Sequence, residues 1–331
     1  MSTSDENPLA DIATADPIGF AAGELVTCEG CGRSNAPNKA KCLYCGNVLP
    51  VTEANADADA SFASLRRLEA WEPGFNVVMN KTSADADLDA IAQIVAIDAE
   101  ELRRIAELQA NVPLLRVENA ETADSVAKGM MKLGVATQTI EDRSLDGEHP
   151  PVRVRAMQIS GEQLLLDDFN SATKHKLTID DVTLIVTGRI YESRREEVTR
   201  RKRGSTKVLD EFETSGDVGV VDIYSKTEVT GLRIQTNGFD FSILGDEKEM
   251  LAGKNLAKLV DLLSGKCKNA VLANEYDGIR HHLDLVWEPE TRKDSQGLQM
   301  RGYGKREFSA TYISSNQLQF TKYSRMRRLM I

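Results

Sequence analysis

Four of the five cysteines lie in two Cys-x-x-Cys pairs near the start of the chain, Cys28 with Cys31 and Cys42 with Cys45. Each pair can form a tight turn that points two sulfur atoms at one metal ion. Two such pairs supply the four thiolates that tetrahedral zinc binds in structural sites. Because four thiolates leave no open coordination position, we predict one structural Zn²⁺ rather than a catalytic metal.

The segment around these cysteines resembles the bacterial zinc-ribbon module with the pattern CxxCGxxNxxxxxxCxxCGxxL. The matching positions are Cys28, Cys31, Gly32, Asn35, Cys42, Cys45, Gly46 and Leu49. The resemblance implies a zinc ribbon over residues 25–50, a segment too short to fold without its metal. The spacing also resembles the RanBP2-type finger. That family normally carries a tryptophan where Val26 stands, which weakens the case for RNA or ubiquitin binding of its type.

The alternative for the cysteine pairs is a redox dithiol, but the strand-to-helix context of a thioredoxin-type motif is missing. The fifth cysteine, Cys267, lies far along the chain between Lys266 and Lys268. We predict an ordinary surface or half-buried thiol there. Five cysteines in this arrangement do not form a disulfide framework, which indicates a reducing compartment.

Composition and charge exclude several classes of protein. The 331 residues carry a net charge of -10, which is unfavourable for a general binder of nucleic acid or anionic membranes. No apolar stretch is long enough for a transmembrane helix. The first 25 residues are acidic and contain no Lys or Arg, unlike a signal peptide. We therefore predict a cytoplasmic protein.

No catalytic motif is visible: the sequence has no GxSxG elbow, no P-loop and no GxGxxG stretch. His281 and His282 are adjacent on a predicted helix, so only one can face the core, and they lack the i, i+4 spacing of zinc enzymes. We predict that the Asp167–Asp168 and Asp180–Asp181 pairs lie in turns or at the ends of strands. We predict that the protein is not an enzyme and has no catalytic residue.

Two basic segments could bind an acidic partner. The run 194–203 contains six Arg and Lys residues between two predicted strands. It is either a phosphate-binding loop or, as we favour, a long solvated hairpin loop. The tail 320–328 mixes aromatic and basic residues. We expect it to dock on an acidic surface, preferably in the N-terminal half of the same chain.

The periodicity of apolar residues divides the chain into a series of segments. Residues 1–24 are predicted to be a disordered acidic tail and 51–63 an Ala/Asp-rich linker. Residues 64–141 form a small α/β domain with the order strand, helix, helix, strand, helix, strand. That order, with the segment VPLLRVENAETADSVAKGMMKLGVATQTI, resembles the ClpS and ribosomal L7/L12 C-terminal fold, whose members bind peptides or translation factors. An unrelated ferredoxin-like sandwich stays an alternative.

Residues 142–151 are predicted to be a hinge, because they are charged and contain Gly147 and the Pro150–Pro151 pair. Beyond it, 152–331 is predicted to be a β-rich domain with peripheral helices, one over 252–263 and one ending before Pro289. Asn237–Gly238 between two strand-like runs indicates a hairpin. About six strands followed by a helix resemble a PH-like barrel, and a β-sandwich is the alternative. The predicted fold class is a multi-domain α+β protein.

These observations favour a non-catalytic cytosolic adaptor or scaffold that binds other proteins. The alternative is a nucleic-acid-associated regulator that uses the ribbon and the basic run 194–203.

Overall fold

The computed structural model describes residues 24–37, 39, 42–47, 49–50, 65–146, 149–202, 205–228, 230–300 and 306–331. Contacts between Cα atoms divide the chain into two compact units, residues 1–64 and 65–331. Nearly all of the predicted tail 1–24 and the whole linker 51–63 lie outside the described residues. The division has no boundary at the predicted hinge 142–151, so the separation of 64–141 from 152–331 stays a prediction.

The first unit is built on a two-stranded antiparallel ladder, in which β1 (Val26–Thr27) pairs with β2 (Ser34–Asn35). Its buried cluster consists of Val26, Cys28, Cys42 and Leu49. Two of the four members are cysteines. Little apolar surface is therefore available to stabilise this unit without a metal.

The second unit is mixed α+β and begins with the predicted strand and helix order. Its first elements are β3 (Phe75–Thr82), α1 (Leu88–Val95), α2 (Ala99–Glu107), β4 (Val112–Val117), α3 (Ala120–Lys132) and β5 (Val135–Glu141). β3 lies between β4 and β5 and is antiparallel to both. Each of the three helices begins after a side chain that accepts a hydrogen bond from a first-turn N–H: Asp87, Asp98 and Asn119. These caps explain why the periodic segments start where they do.

A larger, curled sheet follows. Its strands are β6 (Val152–Ser160), β7 (Gln163–Asp168), β8 (Lys174–Thr178), β9 (Val182–Lys202), β10 (Ser205–Ser225), β11 (Leu232–Gln235), β12 (Val271–Ala273), β13 (Glu290–Met300) and β14 (Arg306–Ser315). The order across the sheet is β13-β14-β9-β10-β11-β6-β7-β8, with β12 beside the first part of β9. The β11–β6 and β12–β9 pairs are parallel, and the other pairs are antiparallel.

Helices accompany this sheet: α4 (Asp142–Asp146) precedes it, and α5 (Ala252–Lys266), α6 (Tyr276–Val286) and α7 (Gln317–Leu329) come later in the chain. Leu256, Leu259 and Leu263 of α5 are buried in one core cluster with apolar side chains of β6, β7, β9, β10 and β11. The curled sheet therefore has one helix in its main core, as the amphipathic pattern of 252–263 predicts.

The prediction of a hairpin at Asn237–Gly238 is wrong, because the segment after Gly238 is not a strand. Gly238 adopts a positive φ of 86°, as a turn requires, but Phe241–Glu247 is 3₁₀-helical, with a kink at Gly245. The Asp240 side chain accepts a hydrogen bond from the N–H of Ser242 and so starts this helix. Phe239 packs edge-to-face on Phe241 with ring centroids 4.9 Å apart. Capping and core packing outweigh the strand-like alternation here.

The C-terminal tail forms the buried helix α7, and its basic residues contact the preceding half of the chain. Lys322 Nζ lies 3.0 Å from the Asp146 carboxylate. The Arg325 guanidinium donates hydrogen bonds to the carbonyl groups of Leu145, Asp146 and His149. The expected contact of 320–328 with the N-terminal half is present, but the expected acidic surface is not: the backbone carbonyl groups of Leu145, Asp146 and His149 provide most of the acceptors.

A buried ion pair of the sheet contacts α7. Asp222 of β10 and Arg233 of β11 are direct cross-strand neighbours, and both N···O distances of their bidentate pair are 2.7 Å. Arg233 also donates to the Thr321 hydroxyl at 3.0 Å, and its guanidinium lies 5.1 Å from the Phe320 ring centroid. Burial alone would lower the pKa of Arg233, but the Asp222 carboxylate outweighs it and raises the pKa above its usual value.

Of the two adjacent histidines, His282 is buried and His281 is exposed, as their places on one helix predict. The Nε2 atom of His282 lies 2.8 Å from the carbonyl oxygen of Pro113, so this nitrogen carries the proton and donates. Its Nδ1 atom is buried without a hydrogen-bond partner among the described residues. Burial lowers the pKa of His282, and the Pro113 carbonyl opposes that shift only in part.

We therefore expect stability to fall as the pH drops below about 6.5, the usual pKa of histidine. In that range the unfolded chain binds a proton at position 282 that the folded chain does not, which costs at most about 1.4 kcal/mol per pH unit. Urea unfolding at pH 7.5 and pH 5.5 measures the loss. A His282→Gln variant should lose less stability over this interval than the wild type. His281→Gln is the control and should retain the full loss. Equal losses in all three proteins would contradict the assignment.

Candidate metal centre

The two cysteine pairs lie on turns of the same form. In the first turn the Gly32 N–H donates to the Cys28 carbonyl at 2.8 Å, and in the second the Gly46 N–H donates to the Cys42 carbonyl at 2.9 Å. The two glycines have φ angles of 68° and 76°, a region that other residues rarely adopt. This backbone requirement explains why glycine follows each pair.

The four sulfur atoms converge on one point. Cys28 Sγ lies 3.5 Å from Cys45 Sγ, and Cys31 Sγ lies 3.5 Å from Cys42 Sγ. All four atoms lie within 4.8 Å of one another. A tetrahedral ion with metal–sulfur bonds of about 2.3 Å needs sulfur–sulfur distances of about 3.8 Å, which these positions reach with small shifts. Each short contact joins the two turns, so a metal bound here would hold them together.

The Asn35 side chain connects the ladder to the second turn. Its amide nitrogen donates to Cys42 Sγ at 3.4 Å, and its oxygen accepts from the Leu43 N–H at 2.9 Å. Burial raises the pKa of Cys42, but this amide and the N–H groups of Tyr44 and Cys45 outweigh it and lower the pKa to about 6. Donors aimed at sulfur stabilise the thiolate, which is the form that binds metal.

Two of the four candidate ligands are buried in the first unit, and the other two lie at its surface. Cys28 and Cys42 are buried, whereas Cys31 and Cys45 are exposed. Val26 packs with the two buried cysteines at the position where the RanBP2-type finger has tryptophan. With a sulfur atom from each cysteine, the arrangement can hold one ion with four thiolates, such as zinc.

Sequence reasoning missed the outer surface of the second turn. Leu43 is 70% exposed and Tyr44 is 57% exposed, although both are large and apolar. The Arg33 guanidinium lies 4.6 Å from the Tyr44 ring centroid. The available signal was the identity of the two residues between Cys42 and Cys45. When both cysteines of a tight turn point inward, the residues between them must point outward. We call Arg33, Leu43 and Tyr44 the knuckle surface.

The prediction that the basic run 194–203 is a loop is wrong. Residues 194–202 belong to β9, which pairs with β10 on one side and β14 on the other, and Arg203 lies outside the described residues. The described arginine side chains of the run form ion pairs on the sheet surface. These pairs are Arg194–Glu196 at 3.0 Å, Arg195–Glu211 at 2.9 Å, Arg195–Glu197 at 3.3 Å and Arg200–Glu307 at 2.5 Å.

The remaining candidates belong to the second unit. Asp167 and Asp168 end β7, and Asp180 and Asp181 lie in a short 3₁₀ helix before β9. Cys267 is not a surface thiol: it is 1% exposed in the core beside α5, and burial raises its pKa. Among the described residues, the group that could hold a metal ion consists of Cys28, Cys31, Cys42 and Cys45.

Among the described helices, none has the length and apolar character that crossing a membrane demands. No protein-family model matches this chain, and neither a curated protein nor a solved structure matches it.

Proposed function

We propose that this chain is a non-catalytic, cytosolic adaptor that binds other proteins, and that residues 25–50 are a zinc ribbon that presents a contact surface to a partner. The observation that carries the proposal is the knuckle surface. It places exposed Leu43 and Tyr44, with an arginine stacked on the tyrosine, directly beside the sulfur cluster. Tyrosine and arginine are enriched among the residues that dominate binding energy at interfaces.

The metal and the surface support each other in this proposal. Leu43 and Tyr44 lie between two ligands, so metal binding would fix their backbone before a partner arrives. A preorganised contact loses less conformational entropy on binding than a mobile one. Zinc is the proposed ion because four thiolates in tetrahedral geometry favour zinc, and zinc has no redox chemistry of its own.

The curled sheet is proposed to be a second interaction module, of the PH-like kind rather than a split β-sandwich. The support is the place of α5, whose leucines pack into the core of the sheet. For residues 64–141, the element order supports a peptide-binding module similar to the ClpS and L7/L12 C-terminal fold. These two proposals rest on the order and packing of elements. The proposal for the knuckle surface is more specific, because it names the contact residues.

The alternative function is a nucleic-acid-associated regulator that uses the ribbon and the basic run. The ion pairs of Arg194, Arg195 and Arg200 weigh against it, because a phosphate would have to displace carboxylates already bound. Retention of the full-length protein on immobilised single-stranded RNA or duplex DNA at low salt, with steep loss on adding salt, would favour this alternative over the adaptor.

We expect the double variant Leu43→Ser/Tyr44→Ser to lose protein partners while it keeps its zinc. Removing two central apolar contacts should weaken binding by about 2 kcal/mol or more, roughly thirtyfold. Full-length wild type and variant, each zinc-loaded, are compared for proteins captured from a native extract, and zinc per chain is measured in both. Trp71→Ser, which removes another exposed apolar side chain in the other unit, is the control. Identical captured sets from wild type and double variant would refute the adaptor role of the ribbon.

A further inference from the structure

Four strands of the large sheet extend beyond the part that encloses the core. β11 pairs with β10 only over 220–223, and β12 pairs with β9 only over 184–186. Beyond these points β13, β14, β9 and β10 continue side by side, each antiparallel to its neighbour. We call residues 191–202, 205–217, 290–300 and 306–315 the arm. Its described surface is dominated by exposed and half-exposed side chains.

The arm has two outer edges, the 205–217 stretch of β10 and the whole of β13. Within the described residues, no strand pairs with either edge. A sheet edge carries N–H and C=O groups that can pair with another strand, and natural edges are commonly protected by bulges and charges. Each edge strand has a bulge toward the tip of the arm, between Val208 and Asp210 in β10 and between Ser295 and Gly297 in β13.

The stretches nearer the body, 211–217 and 290–295, are regular. They contain seven and six residues, so six residues of each can pair. Strand direction alternates across the arm, so β13 and β10 of one chain run antiparallel to each other. A β13 strand from a second copy placed beside β10 would therefore continue the antiparallel pattern without a reversal.

One row of cross-strand neighbours ends in opposite charges. Lys293 of β13 is opposite Tyr312 of β14, Tyr312 is opposite Arg195 of β9, and Arg195 is opposite Glu213 of β10. The Lys293 ammonium lies 5.1 Å from the Tyr312 ring centroid, and Glu213 accepts a hydrogen bond from the Ser193 hydroxyl at 2.9 Å. Neither Lys293 nor Glu213, the two ends of this row, forms an ion pair within the part of the chain that the structure describes.

We propose that copies of this chain associate edge to edge, with 211–217 of β10 in one copy antiparallel to 290–295 of β13 in a second copy. The register continues the rows of the arm, so Glu213 of one copy lies opposite Lys293 of the other. In the same register Ser215 lies opposite Thr291. Phe212, which is 66% exposed, lies opposite Asp294 and diagonal to Arg292 of the second copy.

Charge favours this contact over the symmetric pairing of β10 with itself. Pairing β10 with another β10 would bring Glu211, Glu213 and Asp217 of two copies together, and like charges at directly opposed positions are destabilising. The contact between unlike edges instead joins a basic position to an acidic one. Because it uses two different surfaces, it leaves one edge available at each end, so association yields a closed ring or an open chain of copies.

The test is the molar mass of the full-length, zinc-loaded protein by sedimentation equilibrium over a wide range of concentrations. We expect the wild-type mass to rise with concentration. Lys293→Glu and Glu213→Lys should each weaken association about tenfold or more, because each places like charges opposite each other. The double variant Glu213→Lys/Lys293→Glu in one chain exchanges the two charges, and it should restore association close to the wild-type level.

Both positions are exposed, and circular dichroism with thermal unfolding confirms that each variant is folded. Lys268→Glu, the same charge change at an exposed position outside the arm, is the control and should associate like the wild type. A chain that is monomeric at all concentrations overturns the proposal, even if its edges bind a strand of a different protein. So does association that the single variants leave unchanged or that the double variant fails to restore.

Discussion

Cys42→Ser is expected to abolish zinc binding and to unfold residues 25–50, while the main thermal transition of residues 65–331 shifts by no more than a few degrees. Among the described residues of the first unit, the buried cluster contains only Val26, Leu49 and two of the four cysteines. When so little apolar surface is buried, the free energy of metal binding is the free energy of folding for that segment. The two compact units of the chain make the loss local to the first.

Zinc per chain by elemental analysis should fall from about one to a small fraction, and amide signals of residues 25–50 should lose their dispersion in NMR spectra. Calorimetry follows the main transition of the same samples. Glu29→Ser changes an exposed residue of the first turn without removing a ligand, so it should keep zinc and signal dispersion. Loss of the main transition in Cys42→Ser would show that the ribbon is part of the larger core, and the picture of an independent ribbon would be wrong.

Asp222→Ala should destabilise the second unit by about 3–5 kcal/mol, because it leaves the buried Arg233 guanidinium without its carboxylate. Both N···O distances of this pair are 2.7 Å, and both side chains are almost fully buried. The pair also joins the sheet to α7 through the Arg233–Thr321 hydrogen bond. Loss of the pair should therefore also destabilise the packing of α7 on the sheet.

The free energy of unfolding by urea measures the effect. The double variant Asp222→Leu/Arg233→Met replaces both charges by apolar groups and should recover most of the lost stability, because no buried charge is left unpaired. Asp89→Ala is the matched control, since it breaks the exposed Asp89–Arg103 pair and should cost less than about 1 kcal/mol. A loss in Asp222→Ala as small as in the control would contradict the role of the buried pair.

Local patterns were sufficient for the sulfur cluster and for several helices. The spacing of the cysteines brings Cys28, Cys31, Cys42 and Cys45 together, because ten residues between two tight turns are enough to close a small loop. The order of elements over 75–141 followed from apolar periodicity, and the helix at 252–266 followed from leucines three and four apart. In these cases the determining interactions lie within a few residues, or within one short loop.

The basic run and the segment after Gly238 required the tertiary structure. Arg194 and Arg200 lie in a strand because β14, more than one hundred residues later in the chain, pairs with them and supplies Glu307. Phe241 lies in a 3₁₀ helix because its ring and that of Phe239 belong to a shared core. Composition alone could not distinguish a charged loop from a charged strand, since the partner strand decides which one forms.

By itself, the sequence determined the four candidate ligands, the glycines that shape their turns and the amphipathic faces of the helices. Only the tertiary structure decided that the Arg233 guanidinium meets Thr321 of α7 and that Lys293 and Glu213 end the same row of the sheet. Only the tertiary structure also decided that Lys322 and Arg325 are turned inward. The physical reason is sequence separation: turns and helix faces depend on near neighbours, whereas strand partners and buried ion pairs form between residues that only the folded chain brings together.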